Sequence, residues 1–584
     1  MIDFNAVKQK PWYRFYPETI QKALADHYKI PKIPLDQLLA SSARYYPDTT
    51  AIVYEPADFI ISYAEFYTLC RSFAAGLIHR FNLEQGERVA IFSRNYPEFL
   101  IAMYGILMAG GVYVACNPIL TKEEVVYQLA DSESVLAIIS DDAQPMFKEI
   151  IAEKRLSLRE VIVFDQDEGL KPSYLKKRKK PEQTFFYPFM AVFSDEAFEK
   201  CAIDPEVDLA AIIYTAGTTG VPKGVMVSHS NAVSSCILYY CTYTGTFPEL
   251  DAEGFLVLKN HQQDLSAEWE FPIRYGIDSA IAAAPWTHMM GFIAHLHCSV
   301  MAAITIFPVP IFKVDKVLEM IRRWKISFAG GAPQMMSMIL SRPDIDVQDL
   351  SSIRVWTTGG APCPVAVGSE FEKRISGAVA EGYSLTEATM SSTKSFSNRS
   401  ALRKWGSIGI PLPFTDVRIV DLETGEQEMP IDVDGELIHN GPQVAMGYLN
   451  KPEETAAMLR NGWLYTGDIA RMDADGFFHI TGRKKDIIIY KGYNIAPRML
   501  EEVIYTHPAV YECAVVGQKD DFSGEIPVAF VTLREDFQAT PDEIMAYVNE
   551  NVAGYKKIRK VIIIDRLPVS GFGKVLRNEL TKLL

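Results

Sequence analysis

The sequence has no CxxC cysteine pairs. Its eight cysteines lie between Cys70 and Cys513 without a CxxC spacing, which is typical of reduced thiols in a cytoplasm, although an oxygen-free environment would give the same pattern. The N-terminal segment, MIDFNAVKQKPWYRFYPETI, lacks the apolar core and the small-residue cleavage site of a signal peptide. We therefore expect a cytoplasmic protein.

An excess of positive charge is also absent. The formal net charge is -15, which argues against a general binder of nucleic acid or of anionic membranes, so any polyanionic ligand must meet a local cluster of cations. One basic run, KPSYLKKRKKP at residues 171–181, departs from this balance. A solvated loop is its ordinary interpretation, and peripheral contact with a membrane or an acyl carrier is the alternative.

Long hydrophobic runs are scarce. The uncharged stretch 99–116 reaches the length of a membrane span. Gly110 and Gly111 divide it, however, and we predict a buried helix of about twelve residues followed by a buried parallel strand, and no transmembrane segment. With 48% hydrophobic and 11% aromatic residues, the 584-residue chain can form large cores and, by its length, roughly three to four compact units.

Strand-like and helix-like segments alternate from Arg88 onward. This pattern predicts an α/β fold whose large N-terminal domain holds two parallel-type sheets with helices on their faces. From Asp416, short strands with Asp-Gly turns indicate antiparallel hairpins in a small barrel-like subdomain. A boundary at GRKKD sets off a small, mobile α+β domain, which gives predicted domains 1–484 and 485–584. The stretch 244–275 is interpreted as a lid or as an elaborated surface.

The most informative segment is AAIIYTAGTTGVPKGVMVSH at residues 210–229. An apolar strand leads into a loop whose glycines free the backbone to turn N–H groups around an anion. Thr215, Thr218 and Thr219 add hydroxyl donors, and Lys223 adds a cation suited to a terminal phosphate or pyrophosphate. Because the spacing is not that of a Walker A motif, the loop predicts phosphate binding without specifying a nucleotide. A flexible surface loop is the alternative.

This loop is one of eleven motifs that occur in order along nearly the whole chain. They are ISYAEF (61), MAGGVYVACNP (108), YTAGTTGVPKG (214), APWTHMMGF (284), TTGGAP (357), EGYSLTEAT (381), GEL (435), WLYTGDIA (463), ITGRKKD (480), YKGYNIAP (490) and PVSGFGKVLRNEL (568). Together they resemble the adenylate-forming superfamily of acyl-CoA synthetases, peptide-synthetase adenylation domains and beetle luciferases. KPWYRFYPETI, CNPILTKEEVVYQLADS and NGPQVAMGYLNKPEETAAML most resemble long- and medium-chain fatty acyl-CoA synthetases.

The resemblance implies that a carboxylate attacks the α-phosphorus of ATP to give an acyl-adenylate. It assigns Mg2+ to Thr215 and Glu387, and the departing pyrophosphate to the loop and Lys223. It assigns the ribose hydroxyls to Asp468, assisted by Arg483. The remaining nucleotide residues that it implies are Thr218, Thr219, Gly220, Gly360, Ala361, Pro362, Glu381, Gly382, Tyr383, Ser384, Thr386 and Ile480, of which Tyr383 would stack on the adenine.

Lys574, in GFGKVLR, is the catalytic lysine that the resemblance assigns to the acyl carboxylate and the α-phosphate. CoA must then reach the same carbonyl. The resemblance therefore implies that the small domain rotates about a hinge at Lys485, withdraws Lys574, and brings Lys491, Gly492 and Tyr493 to line the pantetheine tunnel.

The resemblance also implies an acyl pocket that is rich in methionine, whose flexible thioether tolerates varied apolar shapes. Its members are Trp286, His288, Met289, Met290, Phe292, Met335, Met336, Gly360 and Met390. His288 would border the pocket and gate the approach of the thiol. In the HLHC run that ends at Cys298, residues two apart on a helix point to different faces, so core packing is preferred to a metal site.

Two residues depart from the family pattern. Ala216 stands where many relatives have a hydroxyl or glycine, and Ser384 stands where fatty-acid enzymes often have glycine; we interpret both as changes that retune the pocket. WTHMMGF lacks the acidic residue of amino-acid-activating domains, and Ile489 replaces the lysine that luciferases use in oxidation.

We therefore predict an AMP-forming carboxylate–CoA ligase that uses ATP, CoA and Mg2+ and acts on a fatty acid. Its partners would be small molecules and not nucleic acid, and it would be a monomer or a homodimer. An alicyclic or aromatic acid is the alternative substrate. An acyl-AMP ligase without CoA transfer and a non-catalytic ligand sensor are the alternative activities.

Overall fold

The computed structural model describes residues 7–166, 185–215, 221–259, 268–520, 522–535, 537–569 and 575–584. The chain forms two compact units, Met1–Asp416 with Asn440–Leu464, and Val417–His439 with Tyr465–Leu584. Within the described ranges, no helix has the length and apolar character needed to cross a membrane. All eight cysteines are free thiols.

The first unit contains a nine-stranded sheet. Its six central strands run parallel because helical crossovers connect them, and antiparallel strands lie at both edges. In spatial order the strands are Ile410–Pro411, Met390–Lys394, Ala378–Leu385, Val355–Thr358, Phe328–Gly331, Ser279–Ala282, Thr305–Pro308, Thr50–Tyr54 and Phe59–Ser62.

A second, eight-stranded sheet lies in the same unit. Lys223–Ser228 forms an antiparallel hairpin with Leu209–Thr215, and Gly447–Tyr448 adds an antiparallel edge to that hairpin. The other neighbours are parallel. In spatial order the strands are Gly447–Tyr448, Lys223–Ser228, Leu209–Thr215, Val112–Cys116, Arg88–Phe92, Leu136–Ser140, Glu160–Phe164 and Phe186–Pro188. The prediction of an α/β fold with two mostly parallel sheets is thus confirmed.

The uncharged stretch 99–116 has the predicted structure. Helix Pro97–Met108 is buried at every position, and strand Val112–Cys116 follows it, also fully buried. The core around this helix takes side chains from both sheets, among them Ile52 and Ile91. Each large apolar side chain that is fully buried there contributes about 1.5–3 kcal/mol.

The α-helices of the first unit flank the sheets and connect their strands. They are Glu18–Ala25, Gln37–Tyr45, Tyr63–Phe81, Pro97–Met108, Lys122–Asp131, Gln144–Ala152, Phe189–Val192, His229–Thr244, Cys298–Met301, Val314–Trp324, Pro333–Leu340, Val365–Glu372 and Pro452–Met458. Shorter 3-10 turns are Pro11–Phe15, Glu55–Ala57, Asp141–Ala143, Ile345–Val347 and Thr386–Ala388.

The predicted insertion 244–275 begins with a small hairpin. Glu249–Leu250 pairs antiparallel with Leu256–Val257. The Leu256 N–H donates to Ser41 Oγ at 2.9 Å, which attaches this hairpin to helix Gln37–Tyr45. The contact favours the elaborated surface over the lid for this part of the insertion.

The second unit holds two β-structures. Four strands of a five-stranded sheet extend into it: Asp416–Val420, Gly435–Asn440, Trp463–Met472 and Phe478–Arg483. The last two form an antiparallel hairpin around Asp475-Gly476, as this dipeptide predicts. In the first unit, the short strand Leu459–Arg460 pairs with Leu464 and Trp463.

The C-terminal part of the second unit is α+β. Its strands, in spatial order, are Tyr493–Ile495, Ile488–Tyr490, Gly524–Leu533 and Val510–Asp520, and Lys560–Ile563 pairs parallel with Gly524–Leu533. Its helices are Pro497–Tyr505, Pro541–Glu550 and Arg577–Thr581, with a 3-10 turn at Gly554–Lys556. The compact unit thus includes segments before Lys485, and the predicted domain boundary at Lys485 stays a prediction.

Candidate functional site

The base of the predicted phosphate loop is a pair of antiparallel strands. Thr215 ends its strand and lies opposite Lys223, the first residue of the next strand. The Tyr214 hydroxyl donates to Asp131 Oδ2 at 2.8 Å, which fixes the hairpin to helix Lys122–Asp131. The predicted metal ligand and the predicted pyrophosphate lysine are therefore held side by side.

Lys223 contacts a tyrosine that the motifs did not single out. Its Nζ lies 4.9 Å from the ring centroid of Tyr448, within the range of cation–π attraction. The Tyr448 hydroxyl donates to Glu387 Oε1 at 2.6 Å. One side chain thus links the predicted pyrophosphate lysine to the predicted metal carboxylate.

Backbone contacts fix Tyr448 in this position. Tyr448 pairs with Val225 in the sheet, and the Ala445 N–H donates to the Glu387 carbonyl at 2.9 Å. Tyr448 and Glu387 are 61 residues apart, so no local pattern in the sequence could have marked their contact.

The predicted adenine edge follows strand Val355–Thr358. Gly360 has φ +78, in the left-handed region that favours glycine. The Cys363 N–H donates to Glu381 Oε1 at 3.3 Å, and Glu381 is buried. Glu381, predicted to bind nucleotide, therefore braces the loop that carries Ala361 and Pro362.

Strand Ala378–Leu385 continues through the next group of predicted nucleotide residues. Gly382 pairs with Lys394, and a β-bulge interrupts the ladder between Tyr383 and Ser384. A bulge redirects side chains and is common beside active sites. Thr386 then opens the 3-10 turn that carries Glu387.

His288 is oriented by the turn in which it lies. The Met290 N–H donates to His288 Nδ1 at 3.3 Å, so the neutral ring carries its proton on Nε2. A Cβ at Gly291 would lie 2.0 Å from the Pro285 carbonyl oxygen, and only glycine fits there. A π-helix, Gly291–His297, follows.

The predicted acyl residues fall into separate core groups. Trp286, Met289, Phe292 and Met390 belong to the cluster that joins the two sheets. Their companions Met335 and Met336 pack in a different cluster, and Met290 is also buried. Four of the predicted acyl side chains thus belong to one core cluster and two to another, and the acyl pocket stays a prediction.

The two histidines of the HLHC run take different partners. His295 Nδ1 lies 3.1 Å from the Ile281 carbonyl oxygen, and His297 Nδ1 lies 2.8 Å from the Tyr104 hydroxyl. Burial lowers the pKa of His295 to about 4 and that of His297 to about 3, so both rings are neutral at pH 7. Across the described ranges, no group of three or more His, Cys, Asp or Glu side chains is arranged to hold a metal ion.

In the second unit, Asp468 and Arg483 are partners. They face each other across the Trp463–Met472 and Phe478–Arg483 hairpin, and Arg483 donates to both carboxylate oxygens of Asp468. Asp468 is buried, and Arg483 holds its carboxylate in one orientation. Ile480 lies on the same strand as Arg483 and pairs with Ala470.

The predicted hinge lysine lines a cavity within this unit. The cavity measures about 780 Å³ and is also lined by Lys484, Ile487, Ile489 and Glu525. Burial, followed by the charge of the adjacent Arg483, lowers the pKa of Lys485.

The predicted CoA segment forms a two-residue hairpin turn. Lys491 has φ +49 and Gly492 has φ +81, and these conformations match the tight turn between Ile488–Tyr490 and Tyr493–Ile495. The Tyr493 ring lies 4.8 Å from the ring of Tyr555. Four other predicted residues, Thr218, Thr219, Gly220 and Lys574, lie outside the described residues, as does Ala216.

The two mostly parallel sheets and the predicted site residues that they carry are those expected of an adenylate-forming enzyme. The chain matches the family described as AMP-binding enzyme over residues 39–449, and its C-terminal domain over residues 499–574. The chain therefore belongs to the AMP-binding enzyme family. It is an acid–thiol ligase that forms acyl- or aryl-CoA with release of AMP.

Two relatives and one solved structure support this assignment over nearly the full length. A long-chain-fatty-acid–CoA ligase of Bacillus subtilis (strain 168) is 35% identical, with 98% of each chain covered. 4-Coumarate–CoA ligase 2 of Oryza sativa subsp. japonica is 31% identical over 94% of this chain and 92% of its own. The structure of ATP-bound MatB from Rhodopseudomonas palustris matches with a TM-score of 0.78 at 27% identity, over 94% of this chain and 98% of that one.

Proposed function

We propose that this ligase activates a fatty acid as its acyl-adenylate and then transfers the acyl group to CoA. The observation that carries the proposal is the contact of Lys223, Tyr448 and Glu387 beside the phosphate hairpin. In adenylation, a carboxylate anion approaches a polyanion, so the site must supply positive charge and hold it in place. Lys223 supplies such a charge, and Tyr448 orients it.

The donor set supports Mg2+ as the cofactor. The Thr215 hydroxyl and the Glu387 carboxylate are hard oxygen ligands, and with one carboxylate the ion would keep most of its waters and bind phosphate oxygens. When bound, it would neutralise charge that develops on those phosphates. Asp468 would accept the ribose hydroxyls with the lone pairs that Arg483 leaves available.

For the second half-reaction, we propose that the domain 485–584 rotates about Lys485. The turn at Gly492 supports a role in CoA binding, because it exposes backbone that no Cβ shields. Lys574 would act only in the first half-reaction. A cytoplasmic location, with access to ATP and CoA, is part of this proposal.

Two substrate classes have support. The apolar cluster around Met289 and Met390 and the relationship to a long-chain-fatty-acid–CoA ligase favour a fatty acid. The aromatic contacts of Trp286 with Phe99 at 5.3 Å, and of Phe292 with Tyr113 at 5.7 Å, and the relationship to 4-coumarate–CoA ligases favour an aromatic acid. Alicyclic acids have the same apolar character and form the third group to be compared.

A steady-state comparison tests the activity and ranks the classes. Short, long, cyclic and aromatic acids at fixed ATP and CoA should give thioester, and kcat/KM should be highest for a fatty acid. A higher value for aromatic acids would support the second class. Adenylate without thioester would support the acyl-AMP ligase, and neither pyrophosphate nor hydroxamate with any acid would contradict the proposed function.

Replacing Tyr448 by phenylalanine tests the link between Lys223 and Glu387. The variant keeps the ring beside Lys223 and loses the hydrogen bond to the carboxylate, which is worth about 1.5–3 kcal/mol and corresponds to a decrease of about 10- to 100-fold in kcat/KM for adenylation. Pyrophosphate release at several Mg2+ concentrations measures it, and the half-saturating Mg2+ concentration should rise. Tyr511→Phe, at an exposed tyrosine, is the control. An unchanged Mg2+ dependence in Tyr448→Phe would refute its positioning role.

A further inference from the structure

Lys394 is a completely buried lysine. It ends strand Met390–Lys394, and its Nζ donates to the Tyr239 hydroxyl at 3.3 Å and to Thr357 Oγ1 at 3.2 Å. The same atom lies 4.5 Å and 4.8 Å from the ring centroids of Tyr239 and Tyr243. In the described part of the chain, no Asp or Glu lies within ion-pair distance of it. Aromatic faces and hydroxyl groups thus surround the amine.

These neighbours do not neutralise the amine. The Cys298 thiol interacts with it electrostatically, but burial raises the pKa of Cys298 well above its ordinary value, so this thiol stays protonated. Burial also lowers the pKa of Lys394 to about 7. An ammonium group without a counter-charge is strongly disfavoured in such surroundings, and a ligand anion would stabilise it.

A charged Lys394 amine would have one N–H without an acceptor in this cluster. A charged amine has three N–H donors, of which Tyr239 and Thr357 accept two. The Tyr243 hydroxyl donates to the Tyr239 hydroxyl at 2.8 Å, so Tyr239 accepts from two sides. An oxygen atom of a ligand would accept the third N–H of the charged amine.

Two more polar groups beside this cluster point to the same conclusion. The Tyr240 hydroxyl and Ser392 Oγ are buried, and neither has a hydrogen-bond partner among the described residues. The Tyr240 ring lies 5.7 Å from that of Tyr243. Ser392 is the unpaired residue of the register shift in the strand that ends at Lys394. Buried polar groups are normally paired, so a ligand would satisfy them.

Lys394 adjoins the core cluster that holds four of the predicted acyl residues, because its ring partners Tyr239 and Tyr243 belong to that cluster. Met390, a predicted acyl residue, is on the same strand, but it pairs with Leu385 across a register shift and so lies on the opposite face from Lys394. Tyr239 and Met390 belong to one core cluster with Trp286. The Lys394 backbone pairs with Gly382, and a Cβ at Gly382 would lie 3.5 Å from Lys394 Cγ. The amine therefore lies beside the strand of predicted nucleotide residues and against the core cluster that holds Trp286.

We propose that Lys394, Tyr239 and Thr357 form a polar recognition site for the acyl group, and that the preferred acid carries a second oxygen acceptor besides the carboxylate that is activated. This inference rests on the proposed function, since the pocket must hold an acid. A second carboxylate would pair with the ammonium, and a carbonyl or hydroxyl oxygen would accept its third N–H. An unsubstituted hydrocarbon tail would leave the third N–H of the buried ammonium without an acceptor.

Matched acids test the inference on the wild-type enzyme. Alkanoic acids are compared with dicarboxylic and oxo acids of equal length, and plain aromatic acids with their oxygen-substituted counterparts, by kcat/KM for thioester formation at fixed ATP and CoA. We expect the oxygenated member of the best pair to be favoured by about 10²-fold or more, because a site with buried polar groups rejects an analogue that leaves them unpaired. Equal or higher values for the unsubstituted acids would overturn the inference and leave the proposed function intact. Absence of turnover with every acid would contradict both.

Lys394→Met keeps the length of the side chain and removes its charge. It should abolish the preference, lowering kcat/KM for the oxygenated acid and raising it for the unsubstituted one. The melting temperature should rise, because an uncompensated buried amine is gone. Lys373→Met, at an exposed lysine paired with Glu370, should leave the ratio unchanged. Equal losses on both acids would overturn the inference, since they would assign Lys394 to the reacting carboxylate or to the fold.

A second variant covers the case in which Lys394→Met does not fold. Tyr239→Phe removes one hydroxyl partner of Lys394 and keeps the ring that packs on it. The ratio should shift in the same direction by a smaller factor. An unchanged ratio in this variant would contradict the polar site.

Discussion

Replacing Lys574 by alanine should slow acyl-adenylate formation by about 10²–10³-fold, the usual effect of removing one group that stabilises developing charge. The reaction of preformed acyl-adenylate with CoA should be nearly unchanged. Lys574 lies outside the described residues, so this prediction depends on its place in GFGKVLR and on the proposed domain rotation. Single-turnover pyrophosphate release measures the first step. Chromatography of thioester formed from synthetic acyl-adenylate measures the second.

Substitution at Gly492 should have the opposite effect. Gly492 has φ +81, and a Cβ there would meet nothing within 4 Å. Alanine and leucine at this position would therefore have about the same backbone strain, roughly 1–2 kcal/mol. The two substitutions would differ only in the size of the side chain. Gly492→Leu should impair thioester formation more than adenylation, with Gly492→Ala as the matched control.

If Lys574→Ala lowers the rates of adenylation and thioester formation equally, the proposed domain rotation is wrong.

Local patterns predicted much of the fold. The helix Pro97–Met108 with its strand Val112–Cys116, and the hairpin around Asp475-Gly476, follow from burial, glycine breaks and turn chemistry over a few neighbouring residues. For Gly291–His297 the sequence predicted a helix but did not predict that it would be a π-helix. Its type depends on the hydrogen-bond register of that segment, which residue spacing does not specify.

The candidate site, like the fold, was predicted from the sequence only in part. Asp468 and Arg483 were assigned together through the resemblance, and the register of one hairpin explains their contact. Tyr448 was missed because it reaches Glu387 from another sheet edge. Lys394 was also missed. A lysine in the otherwise uncharged strand MSSTK could have drawn attention to it. Its burial, however, depends on Tyr239 and Thr357, which come from two distant elements of the chain.

Changing Glu387 to glutamine should lower kcat/KM for adenylation by about 10²–10³-fold, since a carboxylate that holds a catalytic metal ion contributes several kcal/mol. Glutamine keeps the shape of the side chain, and its amide oxygen still accepts the Tyr448 hydroxyl. The variant therefore removes the charge and keeps the contact. Pyrophosphate release across a Mg2+ titration should show a higher half-saturating concentration and a lower plateau. An unchanged half-saturating concentration would contradict the assignment of Mg2+ to Glu387.

The double variant separates a direct role of Tyr448 from one exerted through Glu387. Tyr448→Phe keeps the charge of Glu387 and removes the hydrogen bond between the two side chains. Glu387→Gln removes the charge and keeps the hydrogen bond. The two single changes therefore test the charge and the hydrogen bond separately. If Tyr448 acts by orienting the carboxylate, combining them should be little worse than Glu387→Gln alone, because contacting residues that serve one interaction are not additive. Additive losses would instead mean that Tyr448 acts through Lys223, whose amine lies 4.9 Å from its ring. Lys223→Met in the Tyr448→Phe background distinguishes that case, because the two effects would then overlap.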